Sequence, residues 1–222
     1  MAESLFPNVY WENMWEATLQ TVYMTAISVI ATFILGILLG LLLFLTARGN
    51  IWENKYINSV IAGIVNLFRS IPFIILIILL IPLSVYIIGT MLGANAALPA
   101  LIAGAAPFYA RMVEIALREV DKGVIEASQS MGASNGEIVF KVLLPEAMPA
   151  LISGITVTAI ALVSYTAMAG VVGAGGLGNL AYLDGFQRNN PDVTLVATVL
   201  ILVIVAILQI GGDLTTRAID KR

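Results

Sequence analysis

The chain has 222 residues, 59% of them hydrophobic and only 11% charged, with a net charge of −3 and a mean hydropathy of +0.96. Soluble domains are roughly 45–50% apolar and about 25% charged, and at this length they withdraw only about 70% of their surface from water, so a water-soluble globule is excluded and a bilayer is the natural solvent. With 0 His and 0 Cys, disulfides, zinc sites, thiol nucleophiles and imidazole chemistry are removed, and the acidic balance leaves no basic footprint for nucleic acid.

Glu3, with no Lys or Arg before the first apolar stretch, argues against a cleavable leader. Tyr10, Trp11 and Trp15 then supply amphipathic rings of the kind that sit at a membrane interface. Ala17–Ala47 is uncharged and long enough to cross a bilayer at about 1.5 Å per residue. Within it, Gly36 and Gly40 have the spacing that permits close helix approach, with a lipid-facing placement the equal alternative. Trp52–Arg69 carries Lys55, Ser59, Asn66 and Arg69 at helical spacing, which reads as an interfacial helix or as the first turns of a long, tilted span.

Ser70–Ala110 is uncharged and too long for one helix. It divides at the glycine-punctuated turn Gly89–Asn95 into a second span, Ile71–Ile88, and a third starting near Ala96. The third span continues past Arg111, because Arg111/Glu114 and Glu114/Arg118 fall at i,i+3 and i,i+4. Prolines 72, 82, 99 and 107 are tolerated in membrane helices where neighbours satisfy the freed carbonyls. A fourth apolar run covers Ala147–Val172 and a fifth Val193–Gly212.

The expected fold is therefore all-α: a polytopic bundle of five transmembrane helices in a single domain, 1–222. Arg48, Lys55 and Arg69, then Arg111, Arg118, Lys122 and Lys141, then Arg217, Lys221 and Arg222 all fall on one side of such a bundle, and only Arg188 falls on the other. Basic loops stay cytoplasmic, so the N-terminus is predicted outside and the C-terminus cytoplasmic. Arg69, Glu146 and Asp213 are expected to reach the cytoplasmic interface rather than lie buried in lipid.

The segment between the third and fourth spans, about 119–146, carries two readable helices. Val124, Ile125, Ser128 and Met131 line one side of the first, which ends at Gly132, a residue suited to a left-handed cap. Ser134 and Glu137 form an S-x-x-E capping box that opens the second, which is expected to end at Leu144 before Pro145. The product is a cytoplasmic helix–turn–helix knob. Gly173–Gly178 is glycine-rich, but it lacks the Lys-Ser/Thr of a phosphate loop and does not follow a strand; close backbone packing or a hinge is expected there.

In the knob, Glu126-Ala127-Ser128, then three residues, Gly132, nine residues, and Val142-Leu143-Leu144-Pro145 resemble the E-A-A-x3-G-x9-I-x-L-P loop of ABC importer permeases, with Ser for the second Ala and Val for Ile. The resemblance extends through Asn66–Leu76, Gly104–Glu114 and Val172–Gly178 to the small five-span permeases of the methionine-uptake type, and covers nearly the whole chain from Thr21. It implies that the loop is a coupling helix docking on an ATPase. That role falls on Glu126, Ala127 and Gly132, with Ser128, Leu144 and Pro145 completing the matched segment.

It also implies a homodimer of this chain, two copies of a cytoplasmic ABC ATPase that hold ATP and Mg, and an extracytoplasmic binding protein or lipoprotein, in the bacterial cell membrane. No cofactor is expected in this chain, and no enzymatic activity. In the matching permeases Tyr and Met positions lie near the pore constriction, which assigns gate roles to Tyr165 and Met168. The implied cargo is methionine; the same architecture carrying another amino acid, a short peptide or a small oxyanion is the alternative. An ion-coupled transporter is disfavoured, since the predicted spans hold no Asp, Glu, His or Arg at mid-depth. An intramembrane protease lacks its base or its aspartate pair.

Overall fold

The computed structural model describes residues 6–220, so Glu3, Lys221 and Arg222 lie outside the described residues. Among the described residues every regular element is helical. Helix α1, Trp11–Thr46, buries a stripe that includes Thr21, Thr25, Ser28, Thr32, Gly36 and Gly40. These small side chains bring α1 against α5, Ala94–Arg118. A Cβ on Gly36 would sit 2.4 Å from Tyr109 Cδ1, and one on Gly40 would sit 2.7 Å from the Ala110 carbonyl oxygen. The G-x-x-x-G spacing is therefore a helix contact and not a lipid-facing accident.

Helix α2, Lys55–Ser70, is opened by Asn54, whose side chain accepts the N–H groups of Tyr56 and Ile57. It is followed by α3, Phe73–Leu79, and α4, Ile81–Ile88. Between α2 and α3 the chain bends by 107°. The cause is local: Pro72 drives the residue before it out of the helical region, and Ile71 is extended (φ −84°, ψ 124°). Of the two readings of Trp52–Arg69, the separate helix is the one realised, not a continuous tilted span. Four helices are long and apolar enough to cross a membrane, or up to five with the bent pair counted as one span.

The third expected crossing runs as predicted through Arg111 to the end of α5. The fourth differs. Asn135–Glu137 (α7) passes through a π-helical stretch, Ile138–Leu143, into α8, Leu144–Val171, without a break. Pro145 stands in the first turn of α8 instead of ending a helix. The Leu144 N–H bonds back five residues to Val139, and the return to normal pairing falls at Pro145, which has no N–H to lose. Beyond α8, a short helix α9, Gly176–Leu180, and a second π-helical stretch, Ala181–Gln187, lead to α10, Pro191–Ile219.

Three buried clusters stack along the bundle. At the end carrying residues 119–146, Phe44, Tyr109, Leu117, Ile138, Leu143 and Leu151 pack together. Met24, Phe73, Ile77, Leu101 and Leu162 fill the middle, and Val9, Met14, Leu177 and Val193 close the far end. At that far end the Gly173–Gly178 segment lies against α1: Gln20 Oε1 accepts the Gly176 N–H and Thr21 Oγ1 accepts the Leu177 N–H. A Cβ on Gly178 would fall 2.4 Å from the Ala167 Cα. Close backbone packing is thus what the glycines serve. The flanks of α1 and α10 stay apolar and exposed, with Ile30, Leu38, Leu202, Ile207 and Leu214 facing outward, an arrangement suited to lipid.

Candidate functional site: a capped helical knob and an aromatic stack

Helix α6, Lys122–Ser130, starts where Asp121 turns its carboxylate onto the Gly123 N–H at 2.7 Å. This cap was missed in the sequence, although Asp directly before a helix is the ordinary signal for it. The helix ends at Gly132, where φ is +80°, as its left-handed capping role requires. Its N–H reaches the Gln129 carbonyl at 2.9 Å, and the Ala133 N–H reaches that of Ser128 at 3.1 Å. Two residues later the capping box forms in full: Ser134 Oγ accepts from the Glu137 N–H and Glu137 Oε2 accepts from the Ser134 N–H. Lys141 adds an ion pair to Glu137 at 2.8 Å. Together, first Lys141 and then the Ser134 backbone hold this carboxyl, ahead of the Ala147 apolar run, down at about 2.

The knob is pinned from beneath by Ile138, Val139 and Leu143, which join Phe44, Leu45 and Leu117 in the buried cluster. What remains outside is the α6 surface. Glu126, Ala127 and Gly132 are exposed, as are Met131 at 81% and Phe140 at 70%. Ser128 is different: its side chain is buried and bonds back to the Val124 carbonyl. Within the matched segment it therefore anchors the helix rather than facing outward. Of the residues expected to line one side with it, Met131 and Val124 are exposed. Leu144 is half-buried and Pro145 exposed, at the junction with α8.

A short shelf, residues 47–54, lies alongside. Asn50 donates its side-chain N–H to the Phe44 carbonyl, and the Gly49 N–H reaches Glu53 at 2.8 Å. Gly49, Asn50 and Ile51 face Lys122, Ile125, Glu126 and Gln129 across a groove. The α5 helix that enters the knob is fixed by Glu114, which is buried and accepts from both Arg111 and Arg118. That pairing was expected; the burial of its carboxylate was not.

Tyr165 and Met168 lie near the far end of α8. The Tyr165 ring stacks on Phe73 with centroids 4.4 Å apart and planes within 3°, so a residue of the bent second segment and a residue of α8 share one contact. Met168 is exposed in the isolated protomer. Phe73 had carried no role in the sequence reading, because nothing local links residue 73 to residue 165. Among the described residues no cluster of Asp, Glu, His or Cys could hold a metal ion.

Residues 33–222 match the family described as binding-protein-dependent transport system inner membrane component. The methionine import system permease protein MetP of Bacillus subtilis is 66% identical over 222 residues, covering 100% of both chains. The probable D-methionine transport system permease protein MetI of Pasteurella multocida is 47% identical over 96% of this chain and 98% of its own. Among solved structures, the inward-facing MetNI methionine ABC transporter superposes with a TM-score of 0.92 at 44% identity, covering 96% of this chain and 100% of that one.

Proposed function

From the premise that this chain belongs to the binding-protein-dependent transport system inner membrane component family, we propose that it is the permease subunit of an ATP-driven methionine importer. The observation that carries this reading is the end-to-end match, at 66% identity, with a methionine import permease. A second copy of the chain completes the pathway. Two ATPase subunits, which hold ATP and Mg, dock on the exposed α6 surfaces, and a binding protein delivers cargo from the opposite face. The chain itself contributes no hydrolytic chemistry.

The knob end faces the cytoplasm in this reading, because the basic residues cluster there. The N-terminus is then outside, the C-terminus inside, and the bent second segment counts as the fifth crossing. Glu126, Ala127 and Gly132 form the docking surface; Ser128, Leu144 and Pro145 fix it to the bundle. A helix capped at both ends transmits a rigid push, and α8 carries that push toward Tyr165 and Met168, the gate. Closure of the ATPases opens the pathway outward, and hydrolysis returns it inward.

The test is uptake of labelled methionine into proteoliposomes holding the chain, its ATPase and its binding protein. ATP-dependent accumulation is expected. ATP hydrolysis stimulated by the binding protein without methionine uptake would retain an importer and reject methionine as cargo.

A further inference from the structure

The bend at Pro72 opens a cavity of about 270 Å³ walled by Phe68, Arg69, Phe73, Gly104, Phe108 and Tyr165. Its size lies just below the roughly 300–1,000 Å³ of drug-sized ligand sites, room for one amino acid rather than a peptide. Its chemistry is specific. The wall contains four aromatic rings, a single cation and no carboxylate. Arg69, in the last turn of α2, takes part in none of the ion pairs among the described residues, which join Arg111 and Arg118 to Glu114, Lys141 to Glu137, and Arg188 to Asp184. Interfacial snorkelling explains how such a charge is tolerated, but not why four aromatic rings wall the same cavity.

An occupant suited to this wall carries one carboxylate and a soft apolar side chain. A guanidinium receives a carboxylate through charge-assisted hydrogen bonds. A thioether makes favourable contacts at aromatic rings, about 5 Å from the ring centre, and an ammonium is accommodated over an aromatic face. We propose that the cavity is a transit site for the cargo: Arg69 receives the carboxylate, and Phe73, Phe108 and Tyr165 receive the side chain. This rests on the reading of the chain as a methionine permease and adds to it a selectivity element inside the membrane subunit. Gly104 sets the room available, because a Cβ there would stand 3.1 Å from Phe73 Cδ2 and 3.4 Å from Leu76 Cδ2. A larger side chain at this position crowds the Phe73 ring and takes up room at the cavity wall.

The test uses the complete importer in lipid nanodiscs and a diazirine photo-analogue of methionine, with labelled peptides mapped by mass spectrometry. Label is expected in the segments holding Phe73, Phe108 or Tyr165, and excess methionine should displace it. Arg69→Gln should lower it at least tenfold, and Arg69→Lys should retain most of it. ATP hydrolysis stimulated by the binding protein reports that each variant is assembled. If Arg69→Gln does not assemble, Gly104→Val decides, with a comparable loss expected from crowding. Label absent from these segments in a wild-type importer that takes up methionine overturns the site and leaves the permease reading standing. So does label undiminished in Arg69→Gln, or in Gly104→Val where that variant decides. A wild-type importer with no ATP-driven methionine uptake overturns both.

Discussion

Replacing Gly132 with valine tests the coupling role at a position where the physical terms separate cleanly. A Cβ at Gly132 would meet nothing within 4 Å, so the substitution adds no packing clash. What it does add is backbone strain, because φ there is +80°. Holding an L-residue in the left-handed region costs roughly 1–2 kcal/mol, and a β-branched side chain belongs at the upper end of that range. Since about 1.4 kcal/mol is tenfold in an equilibrium, Gly132→Val should reduce the population of correctly shaped knobs by roughly ten- to thirtyfold. The strain sits at an exposed turn, so the melting temperature of the complex should change little. The assay is methionine accumulated per ATP hydrolysed in proteoliposomes; it should fall sharply in Gly132→Val and stay near wild type in Gly132→Asn, because Asn tolerates this conformation. Equal damage from Val and Asn, or none from Val, would refute the argument that the left-handed turn is what the glycine provides.

Gly36→Leu should destabilise the α1–α5 contact by about 1–3 kcal/mol, the usual cost of overpacking, because its Cβ alone would already stand 2.4 Å from Tyr109 Cδ1; thermal unfolding in detergent measures it. Glu114→Gln should cost only about 1–2 kcal/mol, since the two arginine side chains left behind are 41% and 57% exposed, whereas Arg111→Gln/Arg118→Gln leaves a buried carboxylate alone and should approach the ~3–5 kcal/mol of an orphaned buried charge. The same melting assay ranks the two variants, and the reverse order would contradict the burial argument. At the proposed gate, Met168→Ala should raise passive leak of methionine in the absence of ATP and Met168→Trp should lower ATP-driven uptake; no change in either flux removes Met168 from that role.

Much of this architecture was legible in the sequence because local rules decide it. The Ser134–Glu137 capping box, the Gly132 turn and the Glu114 pairs each depend on residues within four positions of one another, and each formed as expected. The errors share a different origin. Pro145 was read as a terminator, which is sound for a single helix; the π-helical stretch before it let the chain continue, and only the packing of Ile138, Val139 and Leu143 beneath the knob rewards that wider turn. Ser128 shares the motif with the exposed Glu126 and Ala127, and its burial against its own helix is decided by packing that the motif does not encode. Phe73 escaped notice altogether, since a stack between residues 73 and 165 has no signature in either segment alone.

Two irregular places, the π-helical stretch at Ile138–Leu143 and the 107° bend at Pro72, are joined through α8 and its Tyr165–Phe73 contact. Helical structure runs from Asn135 to Val171 without interruption, which is the path by which the proposed push on the knob would reach Tyr165. Tyr165 is held by Phe73, which belongs to the other side of the bend. Aromatic pairs persist with centroids roughly 4.5–7 Å apart, and these rings start at 4.4 Å. A slide of α8 by one residue, about 1.5 Å, leaves the pair in contact, while a slide of one turn, about 5.4 Å, carries the centroids to the edge of that range or beyond it. If the proposed gate opens by parting this pair, α8 must therefore move by more than a residue, or rotate so that the ring turns away. Because this chain has 0 Cys, Phe73→Cys/Tyr165→Cys joined by a short bis-methanethiosulfonate, which forms a disulfide at each cysteine and expels sulfinate, tests this without background from the chain itself. The joined importer should lose methionine uptake while it still hydrolyses ATP, and cleavage of a reducible linker should restore transport. Uptake that continues with the two positions joined would show that the pathway opens without parting α3 from α8, and the transmission of force along α8 would have to be abandoned.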